Sequence, residues 1–371
     1  MEDRKIWQPL HPDVRPLLDS QYVKLHDEVL QYIKPDEQRE WDGTRRLGTY
    51  GLPRNSVKPI PVGSDRIMTI PDSNLRIRIF TPSTDRDMDR HPDGWPVFLW
   101  FHGGGHALGD LDSDEEVLTR ICEFIPRQNP ETMTNLSLLS QPPDAQCVVI
   151  NLDYRLAPEH PYPAAIDDSV AALQWLVQPD GGVKELGLDR TKVAIGGASA
   201  GGHLTVATLL RCAQENNPPD LNIIKQVLVV PVIDNTATPE NGPFWCLKAH
   251  TAPWLTPSRM LWYRNMWLHS QEQCEEWQAS VNRAPVDLLA RLPPAFIAVA
   301  GEDLLCPEAL DFAEKIRAAG VEVEVKEFDG CTHALLGYSG HYANVTRHSS
   351  RMDKGMELLN DIVQQVKSAF L

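Results

Sequence analysis

The stretch Val193-Ala194-Ile195-Gly196-Gly197-Ala198-Ser199-Ala200-Gly201-Gly202 constrains the fold of this chain more than any other. An apolar, β-branched run enters it. A helical pattern leaves it at His203-Leu204-Thr205-Val206-Ala207-Thr208-Leu209-Leu210. Between them lies Gly-x-Ser-x-Gly. Strand, sharp turn and helix in that order lift a serine hydroxyl to the end of a sheet. Gly197 and Gly201 flank Ser199 on a turn too tight for a Cβ, and the serine itself is expected in strained backbone geometry. Read alone, the motif also fits an ordinary Gly-rich turn, so its meaning depends on partners elsewhere.

The rest of the chain alternates strands with helices. Arg66–Ile70 and Leu75–Phe80 read as strands, and the clean alternation of the second predicts a half-buried antiparallel strand. Trp95–Phe101 and Cys147–Asp153 are apolar runs suited to buried strands. A helix is expected from Ser113, where Ser113-Asp114-Glu115-Glu116 has capping-box spacing, and another carries Val170, Leu173 and Leu176. Strands follow at Val227–Ile233, Ala295–Ala300 and Glu322–Phe328, with a helix at Glu308–Ala319 and a last amphipathic helix through Met356, Leu359 and Val366. This rhythm predicts a mostly parallel α/β sheet with helices on both faces. Residues 126–146 read as a surface insertion. Two segments do not fit the sheet: 1–50, with amphipathic helical patches, and 235–290, which holds five of the ten tryptophans.

Composition excludes several classes of function. A net charge of −16 argues against nucleic-acid and anionic-membrane partners. No apolar run is long enough to span a membrane, and no secretory h-region follows Met1. The seven cysteines are odd in number and form no metal-like Cys-x-x-Cys, which predicts a reduced cytoplasmic protein without a metal or other cofactor. In that compartment the sequons at Asn135 and Asn344 carry no meaning.

A serine hydroxyl needs a base, and the base needs an orienting acid. On a sheet of this kind the order is Ser, then Asp or Glu, then His, each after a strand. After Ala300 comes Gly301-Glu302-Asp303, and after Phe328 comes Asp329-Gly330-Cys331-Thr332-His333. His333 is the candidate base and Asp303 the candidate acid, with Glu302 as rival and Asp329 as a weaker one. Asp303 also reads as a helix N-cap. Oxyanion donors are expected from Gly103, Gly104 and Ala200, because His102-Gly103-Gly104-Gly105 directly follows a buried strand.

Three segments together resemble the signatures of the hormone-sensitive lipase family, a branch of the α/β-hydrolase fold. They are His102-Gly103-Gly104-Gly105, Tyr154-Arg155-Leu156-Ala157-Pro158-Glu159-His160-Pro161-Tyr162-Pro163-Ala164-Ala165 and Gly197-Ala198-Ser199-Ala200-Gly201-Gly202. Asp303-Leu304-Leu305-Cys306-Pro307-Glu308 resembles the family's Asp-Pro-Leu-Arg-Asp-Glu segment and favours Asp303 over Glu302. The likeness runs from about Val97 to the C-terminus. It implies a helical cap made of segments 1–50 and 235–290, on a core made of 51–234 and 291–371.

Departures from the pattern bear on the substrate. Ala198 stands where relatives carry a polar residue, His106 where an aromatic follows the glycines, and Ala334-Leu335 where Gly-Phe is usual. His106, Trp245, Trp254 and Trp262 are candidate substrate contacts, each set against a packing role. Cys306 and Cys331 lie in the loops of the acid and the base, where two buried free thiols are expected rather than a disulfide.

The resemblance implies a serine carboxylesterase acting on a small or medium ester through an acyl-enzyme. The alternatives are an acyl-transferring, cyclising or lyase enzyme of small-molecule biosynthesis, or a non-catalytic small-molecule receptor. His333 argues against the receptor and Ser199 against the lyase. The expected partner is a small-molecule ester, and a homodimer is left open.

Overall fold

The computed structural model describes residues 5–43, 59–83, 93–123, 146–217, 222–240, 244–338 and 352–371. Most of the expected insertion at 126–146, with Asn135, and the sequon at Asn344 fall outside the described residues. Eight strands form one sheet in the order β1-β2-β4-β3-β5-β6-β7-β8. They are β1 Ser64–Thr69, β2 Arg76–Thr81, β3 Trp95–Phe101, β4 Val148–Asp153, β5 Leu188–Ala198, β6 Ile223–Val229, β7 Ala295–Ala300 and β8 Val323–Phe328. β2 is antiparallel to β1 and to β4, and every other neighbouring pair is parallel.

The principal helices are α1 Ser20–Glu28, α2 Glu115–Glu123, α3 Ala164–Val177, α4 Ala200–Glu215, α5 Pro257–Trp267, α6 Cys306–Ala318 and α7 Asp353–Phe370. β3 shows how the layers form. Its side chains alternate across the sheet. Val97, Leu99 and Phe101 join a core with Leu173 of α3, Leu204 of α4 and Phe312 of α6. Phe98 and Trp100 join the opposite core with Ile121 of α2 and Leu359 of α7. Burial on both faces explains why the strand is apolar without a break.

Three local expectations give way to tertiary forces. β2 is buried on both faces, not one: Ile77, Arg78, Ile79 and Phe80 are all buried. Arg78 tolerates this because three carboxylates surround it, Asp65 and Glu115 at 2.6 Å and Asp112 at 2.9 Å. β6 runs from Ile223 to Val229 rather than to Ile233, since Val230 turns to φ +41° and breaks the extended backbone. Ser113 does not box the start of α2. Its Oγ accepts the Asp110 N–H at 3.0 Å, and Asp114 at φ +60° delays the helix to Glu115.

The N-terminal segment lies against the loop that follows β8. Val14, Leu18, Tyr22 and Leu25 share a small core with Ala334 and Met352, with Trp254 packed at its edge. The Asp19 N–H donates to the Gly330 carbonyl at 2.9 Å. A second small core joins Trp245, Leu255 and Met260 to Leu304 and Leu305. Both of the segments that did not fit the sheet therefore rest on the carboxyl ends of its strands.

The crossing of β3, β5 and α4 is packed backbone on backbone. A Cβ on Gly201 would meet the Phe101 carbonyl oxygen at 1.9 Å, and one on Gly197 would meet the Gly201 carbonyl carbon at 2.3 Å. Neither obstacle is a flexible side chain. Gly201→Ala is expected to cost at least about 3 kcal/mol in denaturant unfolding, the upper end of ordinary overpacking, because the backbone cannot move aside.

Candidate active site

Ser199 sits between β5 and α4 at φ +55°, ψ −116°. A non-glycine residue in that region is strained and must be held by its surroundings. The backbone supplies the hold. The Ser199 N–H donates to Val229 O at 2.8 Å, and its carbonyl accepts from the His203 N–H at 3.1 Å and the Val232 N–H at 3.2 Å. Ala198 is buried in the apolar core beneath. The departure at that position thus removes a polar group without leaving one unsatisfied.

The loop after β8 delivers His333, and the loop after β7 delivers Asp303. His333 Nδ1 lies 2.7 Å from Asp303 Oδ2, and Nε2 lies 2.8 Å from Ser199 Oγ. A carboxylate only accepts, so the proton sits on Nδ1, and Nε2 is left to accept from the serine hydroxyl. All three side chains are buried, Asp303 at 1% exposure. The other Asp303 oxygen accepts the Leu305 N–H at 3.2 Å at the start of α6. Leu305, not Asp303, is the N-cap of α6, and no side chain caps it, so Asp303 holds a turn bond two residues on beside its bond to histidine.

The rival acids lie elsewhere. Glu302 Oε2 accepts from Lys248 Nζ at 2.8 Å, and the Asp329 side chain is exposed. Cys306 and Cys331 are buried free thiols. Burial pushes both up to about 12, so neither offers a thiolate near neutral pH.

The glycine loop after β3 faces the serine. A Cβ on Gly103 would stand 3.0 Å from Ala198 O and 3.5 Å from Ser199 Cβ. Gly104 has φ +118°, and a Cβ there would meet Leu108 O at 2.2 Å. Only glycine fits. His102 anchors the loop from behind: it stacks on Tyr154 with ring centroids 4.3 Å apart, and the Tyr154 hydroxyl donates to His102 O at 2.8 Å. Burial lowers the His102 imidazole to about 4, so it packs there neutral. Ala200 opens α4, where the first N–H groups have no partner within the helix. The loop carrying Gly103 and Gly104 thus lies beside Ser199, and Ala200 follows it at the start of α4.

The cavity at Ser199 and His333 is lined by Gly104, Gly105, Trp254, Arg259, Met260 and Tyr263, among others. Of the four candidate substrate contacts, Trp254 is in that wall and the other three are elsewhere. His106 lies flat on Trp267, ring centroids 3.8 Å apart, and its Nε2 meets His203 Nδ1 at 3.2 Å. It fills space behind the glycine loop. Trp245 is fully buried, and its Nε1–H donates to Glu308 Oε2 at 3.0 Å. Glu308 Oε1 accepts from the Ile233 N–H, which ties α6 to the chain after β6. Burial raises that carboxyl to about 8 even though the N–H groups of Ile233, Asp234 and Trp245 pull it down. Trp262 packs edge-on against Trp41 and Tyr263.

The sequence offers no signal for Arg259, and for Tyr263 only a helical spacing with Trp262, Met266 and Trp267 that suggests packing. Tyr263 reaches the wall because Gly105 lacks a side chain: a Cβ there would meet the Tyr263 ring at 2.3 Å. The signal was present as a third consecutive glycine, but its partner is distant in the chain.

Fold, loop order and geometry define a hydrolase-type site on a parallel α/β sheet. The chain belongs to the α/β-hydrolase fold family, with residues 135–337 matching that family, in its branch similar to hormone-sensitive lipase. It is 33% identical over 369 residues to an AB hydrolase superfamily protein of Schizosaccharomyces pombe, covering 98% of this chain and 97% of that one. It is 31% identical to Esterase LipI of Mycobacterium tuberculosis, covering 91% and 94%. A thermostable esterase from Pseudomonas putida shares the fold at a TM-score of 0.76 and 24% identity, covering 96% of this chain and 98% of that one.

The acid assignment predicts a sharp contrast. Asp303→Asn should lower kcat by about 10³-fold or more by disturbing the imidazole tautomer, while Glu302→Gln should stay within about threefold of wild type. Steady-state kinetics on a short aryl ester measures both, and a loss confined to Glu302→Gln would reverse the assignment.

Proposed function

We propose that Ser199, His333 and Asp303 carry out the reaction of a carboxylic ester hydrolase through an acyl-enzyme. The observation that carries this reading is the continuous hydrogen-bonded line from Asp303 through His333 to Ser199 at 2.7 and 2.8 Å. Ser199 Oγ attacks the ester carbonyl carbon while His333 Nε2 takes its proton. The carbonyl oxygen becomes an oxyanion and accepts hydrogen bonds from backbone N–H groups of Gly103, Gly104 and Ala200. Each such donor contributes about 3 kcal/mol in comparable sites. The intermediate collapses, the alkoxide leaves with the proton from His333, and the acyl group stays on Ser199. Water then attacks the acyl carbon, gives its proton to His333, and frees the carboxylic acid. The proton returns to Ser199 Oγ. Asp303 stabilises the imidazolium formed in each half.

Segments 1–50 and 235–290 form the cap in this reading. What supports it is their joint packing against the loops of the acid and the base. The cavity at the serine holds about 40 Å³ of free space. That is room for a few water-sized groups, which favours a small acyl group over a long one. No helix among the described residues is long and apolar enough to cross a membrane. The free cysteines, most of them buried, support a reducing, cytoplasmic setting.

Ser199→Ala tests the reaction directly. On p-nitrophenyl acetate and butyrate, kcat is expected to fall by about 10³-fold or more. Equal activity in both proteins would end the hydrolase reading at this site.

A further inference from the structure

The reaction cavity does not stand alone. A second cavity of about 850 Å³ lies against it, within the size range of small-molecule sites. Trp7, Leu10, Tyr22 and Leu30 of the N-terminal segment line one side, and Pro253 and Trp254 the other. Trp254 is a wall of both cavities.

The partition between them is a buried polar clamp. Arg259 borders the inner cavity, and Gln8 and Glu37 border the outer one. Arg259 is only 4% exposed. Its Nε donates to Glu37 Oε2 and its Nη2 to Gln8 Oε1, each at 2.9 Å. Its Nη1 donates to the Trp254 carbonyl at 2.7 Å. The guanidinium also lies over the Trp254 ring, 4.9 Å from its centroid. Trp254 has φ +65°, a strained conformation for so bulky a residue. The clamp therefore holds Trp254, whose backbone is strained, where it stands in the wall of both cavities.

We propose that the outer cavity is a chamber for the apolar distal part of longer esters, and that the Arg259–Glu37–Gln8 clamp on Trp254 is the gate that limits access to it. The proposal rests on the hydrolase reading of the inner site. Two physical arguments carry it. The inner space is small beside the outer one, and Trp254 stands in the wall of both, so displacing Trp254 would join them for a longer chain. The part bounded by Trp254 opens onto a mixed surface, where Trp7, Leu10 and Leu30 offer contact to an uncharged alkyl or aryl chain among polar groups such as His26, Gln38 and Ser258. Opening the gate breaks a desolvated ion pair, but that pair offsets much of its own attraction with desolvation, and release relieves the strain at Trp254. Short esters leave the clamp closed.

The test compares p-nitrophenyl acetate with p-nitrophenyl decanoate. Weakening the clamp by Glu37→Gln, or by Gln8→Ala should the first variant fold poorly, is expected to raise the decanoate-to-acetate ratio of kcat/KM about tenfold, equivalent to ~1.4 kcal/mol. Trp254→Ala should raise it further. A parallel fall on both esters, or an unchanged ratio, would reduce the clamp to a structural tie and overturn the proposal. Binding to the Ser199→Ala protein separates this from the chemistry. The decanoate ester should quench tryptophan emission with a Kd at least about tenfold below that of the acetate ester, and Leu10→Trp should erase the difference. Equal binding of the two esters would remove the chamber and leave the hydrolase reading standing. Turnover of the acetate ester by Ser199→Ala would instead remove the hydrolase reading.

Discussion

Ser199 occupies a backbone conformation that its own side chain disfavours, and the close approach of β3, β5 and α4 keeps it there. Gly197 and Gly201 allow that approach, since a Cβ on either would overlap backbone atoms. Three backbone hydrogen bonds then fix the serine between Val229, Val232 and His203. Strain of this kind persists only where the surroundings over-determine it. The parallel sheet does so here by burying both of its faces. The result is a hydroxyl aimed away from the core toward the loops after β7 and β8.

Those loops extend the same logic. One Asp303 oxygen is fixed by the Leu305 N–H just before α6, and the second is free to hold His333. His333 in turn lies on the loop against which the N-terminal segment packs. Glu308, five residues beyond the acid, binds the chain after β6 and Trp245 together. The segments above the site are thus joined to the elements that carry its chemistry. A neutral histidine pair, His106 and His203, backs the glycine loop, with burial pushing both imidazoles down.

The sheet, the order of its loops and the three side chains that meet at Ser199 were legible because each rests on local pattern. Gly-x-Ser-x-Gly, the glycine run after a buried strand, and Asp and His just past two further strands are short-range signals. The pocket was not legible in the same way. Five tryptophans crowd residues 235–290, and nothing local distinguishes Trp254, which faces the cavity, from Trp245, which Glu308 holds in the core. For His106 the sequence leaves substrate contact and packing both open, and the ring of Trp267 stacked on it settles it as packing. Arg259 carried no signal, because its partners Gln8 and Glu37 lie more than two hundred positions away. The boundary of β6 failed for a related reason: Val230 is β-branched and apolar, yet tertiary contacts turn it to φ +41°.

The central claim is that this strained serine is the activated nucleophile and that His333 activates it. Reaction with a p-nitrophenyl alkylphosphonate, followed by mass spectrometry of the digested protein, tests it most directly. The account predicts stoichiometric release of p-nitrophenol and a phosphonyl adduct on Ser199, formed about 10³-fold more slowly in His333→Ala. An adduct on another residue, or labelling of Ser199 at the same rate without His333, would contradict it.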